Sequence, residues 1–312
     1  MAINKAVKVI LKALSYDSMN VQTERRLAEL KKLDPMRILT QKLDVQVLNG
    51  DCEVPVRIYF PSEKIMEEKL VSQYNGKVLL FLHGGGWVTE SVETYDRVCA
   101  QMAQSTGQLV LSVEYRRAPE HRFPIPLTDS YAVARTLYRG EFLREVRWEN
   151  VTLIGDSAGG NMAAALSLLA RDQKEFIPAR QILIYPAVWN DYTEASPFPS
   201  VKENGRDYLL TSGKMEEYLR LYQNSPSDRR SPYFAPLLAK DLGGLPRTLI
   251  LTAQYDPLRD EAEEFGRQLK AAGNEVQVER IANALHGFFA LGIKHNPVQE
   301  SLDIINEFLK GV

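Results

Sequence analysis

Cysteine and histidine are scarce in this chain: its 312 residues include 2 cysteines, Cys52 and Cys99, and 4 histidines, His83, His121, His286 and His295. Two isolated thiols make no disulfide framework and fit a reducing compartment as buried groups. The histidines are scattered and none sits near a cysteine pair, so no metal site is expected. An excess of one charge is missing too. The 38 basic and 40 acidic residues leave a formal charge of −2, which gives no electrostatic footprint for nucleic acid. No apolar run approaches the ~20 residues that cross a bilayer. Lys5, Lys8 and Lys12 interrupt the N-terminus too often for a signal-peptide core. The expectation is a cytoplasmic protein with no nucleic-acid or membrane partner, monomeric or homodimeric. Internal repeats and low-complexity tracts are absent as well. What is left is an ordinary globular balance, 45% hydrophobic and 25% charged, in a chain long enough for one large α/β domain with a lid or for two small domains.

Residues 1–40 read as helices. Ala6, Val7, Ile10, Leu11 and Leu14 recur at helical spacing, and a second helix spans Thr23 to Leu33, ending near Pro35. A basic amphipathic helix can lie on a membrane surface; this stretch is short and weakly charged, and covering the domain behind it is the better reading. The period then changes to two. Val45, Val47, Val54, Val56, Ile58 and Phe60 alternate with polar residues around an Asn49-Gly50-Asp51 turn, an antiparallel hairpin with one wet face. A polar surface loop covers 61–76.

From Lys77 apolar strands alternate with helices. Strands are predicted at Val78–Leu82, Leu109–Val113, Val151–Ile154, Gln181–Tyr185, Arg247–Thr252 and Glu275–Ile281. Helices are predicted at Thr94–Ser105, Asp129–Tyr138, Met162–Ala170, Glu261–Ala272 and Val298–Leu309. This alternation implies a parallel sheet covered on both faces. It is broken after Pro186, where the chain runs to about Pro236 without a strand and with one apparent helix, Lys214–Tyr222. An insertion of that length after a strand's carboxyl end reads as a lid over a site.

The chemistry centres on Gly155-Asp156-Ser157-Ala158-Gly159-Gly160. A strand leads in, a strong helix former leads out, and a serine stands at the apex: a nucleophile elbow, G-x-S-x-G. A Cβ at Gly155 or Gly159 would crowd so tight a turn. The serine lies at the positive end of the following helix. By itself the motif can recur by chance in an ordinary strand-to-helix loop.

A serine hydroxyl needs a base. His286, in Ala284-Leu285-His286-Gly287-Phe288-Phe289, follows a strand's carboxyl end and can meet the serine at one sheet edge. An orienting carboxylate is needed in turn. Asp256 follows the preceding strand but, standing before Pro257, reads equally as a helix N-cap. The chain order Ser157, Asp256, His286 is that of α/β-hydrolase triads, and Asp260 is the fallback acid. Oxyanion donors require backbone amides. The N–H of Ala158 is one candidate, and the glycines of Leu82-His83-Gly84-Gly85-Gly86-Trp87 supply others. A phosphate-binding loop is the rival reading, but no lysine or serine follows and G-x-G-x-x-G is absent there.

Taken together, His83-Gly-Gly-Gly-Trp87, Glu114-Tyr-Arg-Arg-Ala-Pro-Glu-His-Arg-Phe-Pro124, Gly155-Asp-Ser-Ala-Gly-Gly160, Asp256-Pro-Leu-Arg-Asp-Glu261 and His286-Gly-Phe288 resemble, in matching order over about residues 40–312, the bacterial hormone-sensitive-lipase-like carboxylesterases. Arg117 and Ile125-Pro126 depart from that family's usual leucine and alanine pair. The resemblance implies an α/β-hydrolase fold: a mostly parallel eight-stranded sheet, helices on both faces and a helical cap. Residues 1–40 and 187–236 would form the cap, and 41–186 with 237–312 the catalytic domain. It implies Ser157 as nucleophile, His286 as base, Asp256 as orienting acid, and Gly85, Gly86 and Ala158 as oxyanion donors. It implies no metal or organic cofactor. His83 and His121 would shape loops. Trp87, Asp156, Tyr185 and Phe288 are candidate pocket residues. The cap aromatics Tyr192, Phe198, Tyr208, Tyr218 and Tyr222 either shorten the pocket or form cap core, core being the better reading for most. The expected activity is hydrolysis of short-chain, acetyl-type esters. A deacetylase or amidase with the same groups, and a hydrolase-fold receptor without turnover, are the rivals.

Overall fold

Alternate residues of the central strands enter two separate cores. Val78, Leu80 and Leu82 pack to one side and Leu79 and Phe81 to the other, as the two-residue period of a strand buried on both faces requires. The computed structural model describes residues 11–12, 15–16, 19–30, 42–62, 74, 76–291 and 295–311. Of the predicted first helix only Leu11 and Lys12 fall among them, and the 61–76 loop is described only at its ends.

A hairpin leads in: β1 (Lys42–Asn49) and β2 (Cys52–Tyr59) pair antiparallel. Then come β3 (Val78–Leu82), β4 (Leu109–Val113), β5 (Val151–Asp156), β6 (Arg180–Ile184), β7 (Arg247–Tyr255) and β8 (Val276–Leu285). They form one 8-stranded sheet in the order β1-β2-β4-β3-β5-β6-β7-β8. β2 meets β4 antiparallel, and every later pair is parallel. β5 is therefore central, and its carboxyl end opens where the strand order reverses, the usual place for a ligand crevice.

The helices are α1 (Val21–Glu29), α2 (Asp96–Thr106), α3 (Ile125–Tyr138), α4 (Ala158–Asp172), α5 (Pro199–Asn204), α6 (Ser212–Tyr222), α7 (Arg259–Ala271) and α8 (Asn296–Lys310). α3, α4 and α7 supply one core, through residues such as Leu127, Met162 and Phe265. α2 and α8 supply the other, through Val98, Met102, Leu302 and Phe308. Several boundaries differ from expectation. α3 starts at Ile125 because Pro126 sits in its first turn, where the missing N–H costs nothing. α5, of 6 residues, is too short to show a period.

No strand lies between β6 and β7. The segment joining them carries α5 and α6, and α1 docks on it. The Lys214 ammonium pairs with Glu24 at 3.1 Å, and the Leu209 N–H donates to Ser15 Oγ at 2.9 Å. Side-chain caps start both partner helices: Asn20 accepts the Thr23 N–H, and Thr211 accepts the Lys214 N–H.

Candidate active site

The turn between β5 and α4 forces Ser157 to φ 54° and ψ −117°, a conformation that L-residues hold only when the surroundings impose it. The imposing contacts are backbone ones. The Ser157 N–H donates to the Ile184 carbonyl at 2.8 Å, and its carbonyl accepts from the N–H of Asn161 and Ala187. The flanking glycines are sterically required. A Cβ at Gly155 would strike the Gly159 carbonyl group, and one at Gly159 would strike the Leu82 carbonyl.

β8 ends at Leu285 and delivers the next residue to the same edge. His286 Nε2 lies 2.9 Å from Ser157 Oγ, and Nδ1 lies 2.7 Å from Asp256 Oδ2. A carboxylate can only accept, so Nδ1 carries the proton and Nε2 turns its lone pair to the hydroxyl. Asp256 is wholly buried. Its Oδ1 accepts the Leu258 N–H at 2.8 Å, so one carboxylate both shapes its own turn and faces the imidazole. α7 begins only at Arg259, with Leu258 as its cap; the N-cap reading of Asp256 is thereby replaced by a turn two residues earlier. Asp260, the fallback, is turned away toward Arg259 at 2.7 Å and the Ser200 N–H at 2.8 Å. His83 is buried under the glycine loop, where Nδ1 donates to the Gly84 carbonyl at 2.8 Å and the ring stacks on Tyr115. His295 precedes α8 as its cap residue.

The glycine loop follows β3. Gly85 and Gly86 have φ 100° and 59°, open to glycine without strain. The N–H groups of Gly85, Gly86 and Ala158 donate to nothing among the described residues, and these residues line the same cavity as Ser157 and His286. The Gly84 N–H is held by Asp156 Oδ1 at 2.8 Å, and Asp156 Oδ2 accepts from the Tyr95 hydroxyl at 2.8 Å. Asp156 thus ties the elbow to the glycine loop. Burial pushes its carboxyl up to about 6, against the opposing Tyr95 hydrogen bond.

The cavity measures about 370 Å³. Its walls include Glu24, Leu27 and Ala28 from α1 and Met215 and Tyr218 from α6. Of the predicted pocket residues, Asp156 and Trp87 line it, although Trp87 is almost wholly buried and stacks on Tyr222 with centroids 4.4 Å apart. Tyr185 and Phe288 are not among the lining residues and stand behind His286. The Tyr185 ring lies 4.7 Å from the imidazole, its hydroxyl accepts the Phe289 N–H, and Phe288 meets it edge-on. Of the aromatics between β6 and β7, Tyr218 reaches the cavity; Tyr192 and Tyr222 are buried core. The Glu24–Lys214 pair in the cavity wall escaped sequence reading, since its partners are 190 residues apart and belong to no local motif. Among the described residues no group of His, Cys, Asp and Glu could hold a metal ion, and no helix is long and apolar enough to cross a membrane.

Comparison with known proteins agrees with this fold. Residues 79–290 match a family described as an alpha/beta hydrolase fold. An ethyl acetate hydrolase of Pseudomonas putida is 34% identical over 259 residues, covering 82% of this chain and 78% of its own. An arylesterase of Saccharolobus solfataricus is 31% identical over 260 residues, 83% of this chain and 80% of its own. The solved structure of a hyperthermophilic esterase from the archaeon Pyrobaculum calidifontis superposes with a TM-score of 0.87 at 33% identity, covering 99% of this chain and 98% of that one. With fold, motif order and relatives in agreement, the chain belongs to the hormone-sensitive-lipase-like carboxylesterases of the α/β-hydrolase fold.

Proposed function

We propose that this enzyme hydrolyses short-chain carboxylic esters through an acyl-enzyme on Ser157. The observation that carries the reading is the hydrogen-bonded line Ser157–His286–Asp256 beside backbone N–H groups that have no partner among the described residues. Ser157 Oγ attacks the ester carbonyl carbon while His286 Nε2 takes the hydroxyl proton. Asp256 holds the imidazole in the right tautomer and balances the imidazolium. The N–H groups of Gly85, Gly86 and Ala158 receive the oxyanion. Collapse breaks the bond to the leaving oxygen, and His286 returns the proton to the departing alcohol. Water, deprotonated by the same imidazole, then releases the acid.

In this reading α1 and the segment between β6 and β7 form the cap. The small cavity, and the polar Glu24, Glu90 and Lys214 in its wall, favour short acyl groups over long ones. The name of one relative, an ethyl acetate hydrolase, points the same way.

Two measurements test it. A fluorophosphonate probe should label Ser157 stoichiometrically. A ladder of 4-nitrophenyl esters should give its highest kcat/KM with acetyl to butyryl chains and fall beyond them. Absence of labelling together with no turnover on any ester would overturn the reading, and a kcat/KM still rising at decanoyl would overturn the short-chain assignment.

A further inference from the structure

Glu261 is a buried carboxyl group that the reaction described above does not use. It sits in the first turn of α7, five residues after Asp256, and is wholly buried. Its Oε1 accepts from the Val188 N–H at 2.8 Å, the Trp189 N–H at 3.1 Å and the Tyr192 hydroxyl at 2.8 Å. Its Oε2 has no hydrogen-bond partner among the described residues. An acidic side chain taken so far from water is costly, and a packed apolar residue of similar volume would avoid the cost. The contacts it makes indicate what offsets the penalty.

Val188, Trp189 and Tyr192 begin the segment that leaves β6. Directly before them, Ala187 donates its N–H to the Ser157 carbonyl at 3.3 Å and accepts from Asn161 Nδ2 at 2.7 Å. The path therefore closes on itself. It runs from Ser157 to Ala187, along the chain to Val188 and Trp189, across to Glu261, back through the α7 turn to Asp256, and through His286 to Ser157 Oγ. The sheet fixes how far apart β6 and β7 stand. The loops beyond their carboxyl ends are joined through Glu261. α5 braces the same loop from outside: Ser200 Oγ donates to the Pro257 carbonyl at 2.8 Å, and Asn204 Nδ2 to the Asp256 carbonyl at 3.1 Å.

We propose that Glu261 is a positioning residue, which sets the Asp256 carboxylate against His286 by anchoring the acid-bearing turn to the root of the cap. The proposal rests on the triad reading given above. A carboxylic acid suits the task because one compact oxygen gathers three donors, two of them backbone groups that would otherwise be buried unpaired. Burial, with the Asp256 charge adding to it, pushes Glu261 up to about 8. The anchor is then largely neutral at pH 7 and places little second charge near Asp256.

Glu261→Gln keeps an acceptor oxygen, and Glu261→Met keeps the volume without it. Steady-state kinetics on 4-nitrophenyl acetate should show Glu261→Met losing kcat ten- to a hundredfold with KM within threefold, and Glu261→Gln recovering kcat to within about fivefold of the parent. The proton NMR signal of His286 Nδ1–H, which reports the bond to Asp256, should shift or broaden in Glu261→Met and be restored in Glu261→Gln. Tyr192→Phe removes one donor and leaves the carboxyl in place. It should lower kcat two- to fivefold, and adding it to Glu261→Gln should cost less than the product of the two losses. A folded Glu261→Met with unchanged kcat and unchanged imidazole signal would overturn the proposal. If that variant does not fold, Tyr192→Phe and Glu261→Gln that are both kinetically silent would overturn it equally. Loss of activity in Ser157→Ala tests the triad itself, so the two failures are separable.

Discussion

Ser157 and His286 lie 129 positions apart in the chain, yet their Oγ and Nε2 atoms are 2.9 Å apart. The distance follows from strand order. β5 and β8 end at the same edge of the sheet, with β6 and β7 between them, and the turn after each strand reaches inward across that gap. Any change that keeps the sheet but removes one of the converging groups should therefore leave a folded, inactive protein.

Ser157→Ala removes the hydroxyl and nothing that the fold depends on, since the strained turn is held through backbone groups. Turnover of 4-nitrophenyl acetate should drop at least a thousandfold, with the thermal midpoint within a few degrees of the parent. Circular dichroism checks the fold and a stopped assay checks the rate.

Asp256→Asn and Asp260→Asn separate the acid from its fallback. The first leaves His286 Nδ1 facing an amide and should cost roughly four orders of magnitude in kcat. The second breaks contacts to Arg259 and Ser200 only and should leave kcat within about fivefold. Reversal of that order would exchange the two assignments.

Gly86→Ala tests the amide cluster. Its φ is 59°, and the new Cβ would drive into the Tyr218 ring. The loop must move, and kcat should fall about a hundredfold or more, as for the loss of one oxyanion donor. A Tyr218→Ala background makes room for the methyl group. It should recover only part of that loss, because the strained φ remains.

Stability should decline with rising pH through a defined window. Glu261 ordinarily ionises near 4.5 and is pushed up to about 8, mainly by burial. Between those values the native state holds a proton that the unfolded chain has released, so the stabilisation is complete below about 4.5 and is lost as pH rises through 8. The loss is on the order of a few kcal/mol. Asp156, raised from 3.8 to about 6 by burial, adds a smaller total loss of the same sign between those values. Urea midpoints from pH 4 to 9 should fall for the parent, and more gently for Glu261→Gln.

Arg25 stitches α1 to the loop region beside the site. It donates to the Val88 carbonyl at 2.9 Å, to the Ala118 carbonyl at 2.9 Å and to Glu120. Arg25→Ala should loosen the wall formed by Leu27 and Ala28, raising KM several-fold for small esters with kcat less affected, and lowering stability by about 1–2 kcal/mol. Initial rates over a substrate range separate the two parameters.

Much of this molecule is determined locally. The alternation of Val45 to Phe60 and the solid apolar runs of β3 to β7 follow from side-chain period and burial, and both can be read along the chain. The elbow is local as well: a serine between Gly155 and Gly159 leaves the backbone one way to turn. The separation of Asp256 from Asp260 was not local. Both carboxylates can cap a turn, and only the packing of α5 and β8 around them gives one to His286 and the other to Arg259. Tyr185 and Phe288 went behind the imidazole for the same kind of reason, since a position next to a site residue does not say which side of it a ring will take. Glu24 and Lys214 belong to no motif, and Glu261 closes the Asp256–Glu261 motif with nothing in it to show a role for its carboxyl group. A lone acidic or basic residue acquires a role only from what the fold brings against it, and burial, which alters the cost of its charge, is a property of the assembled structure.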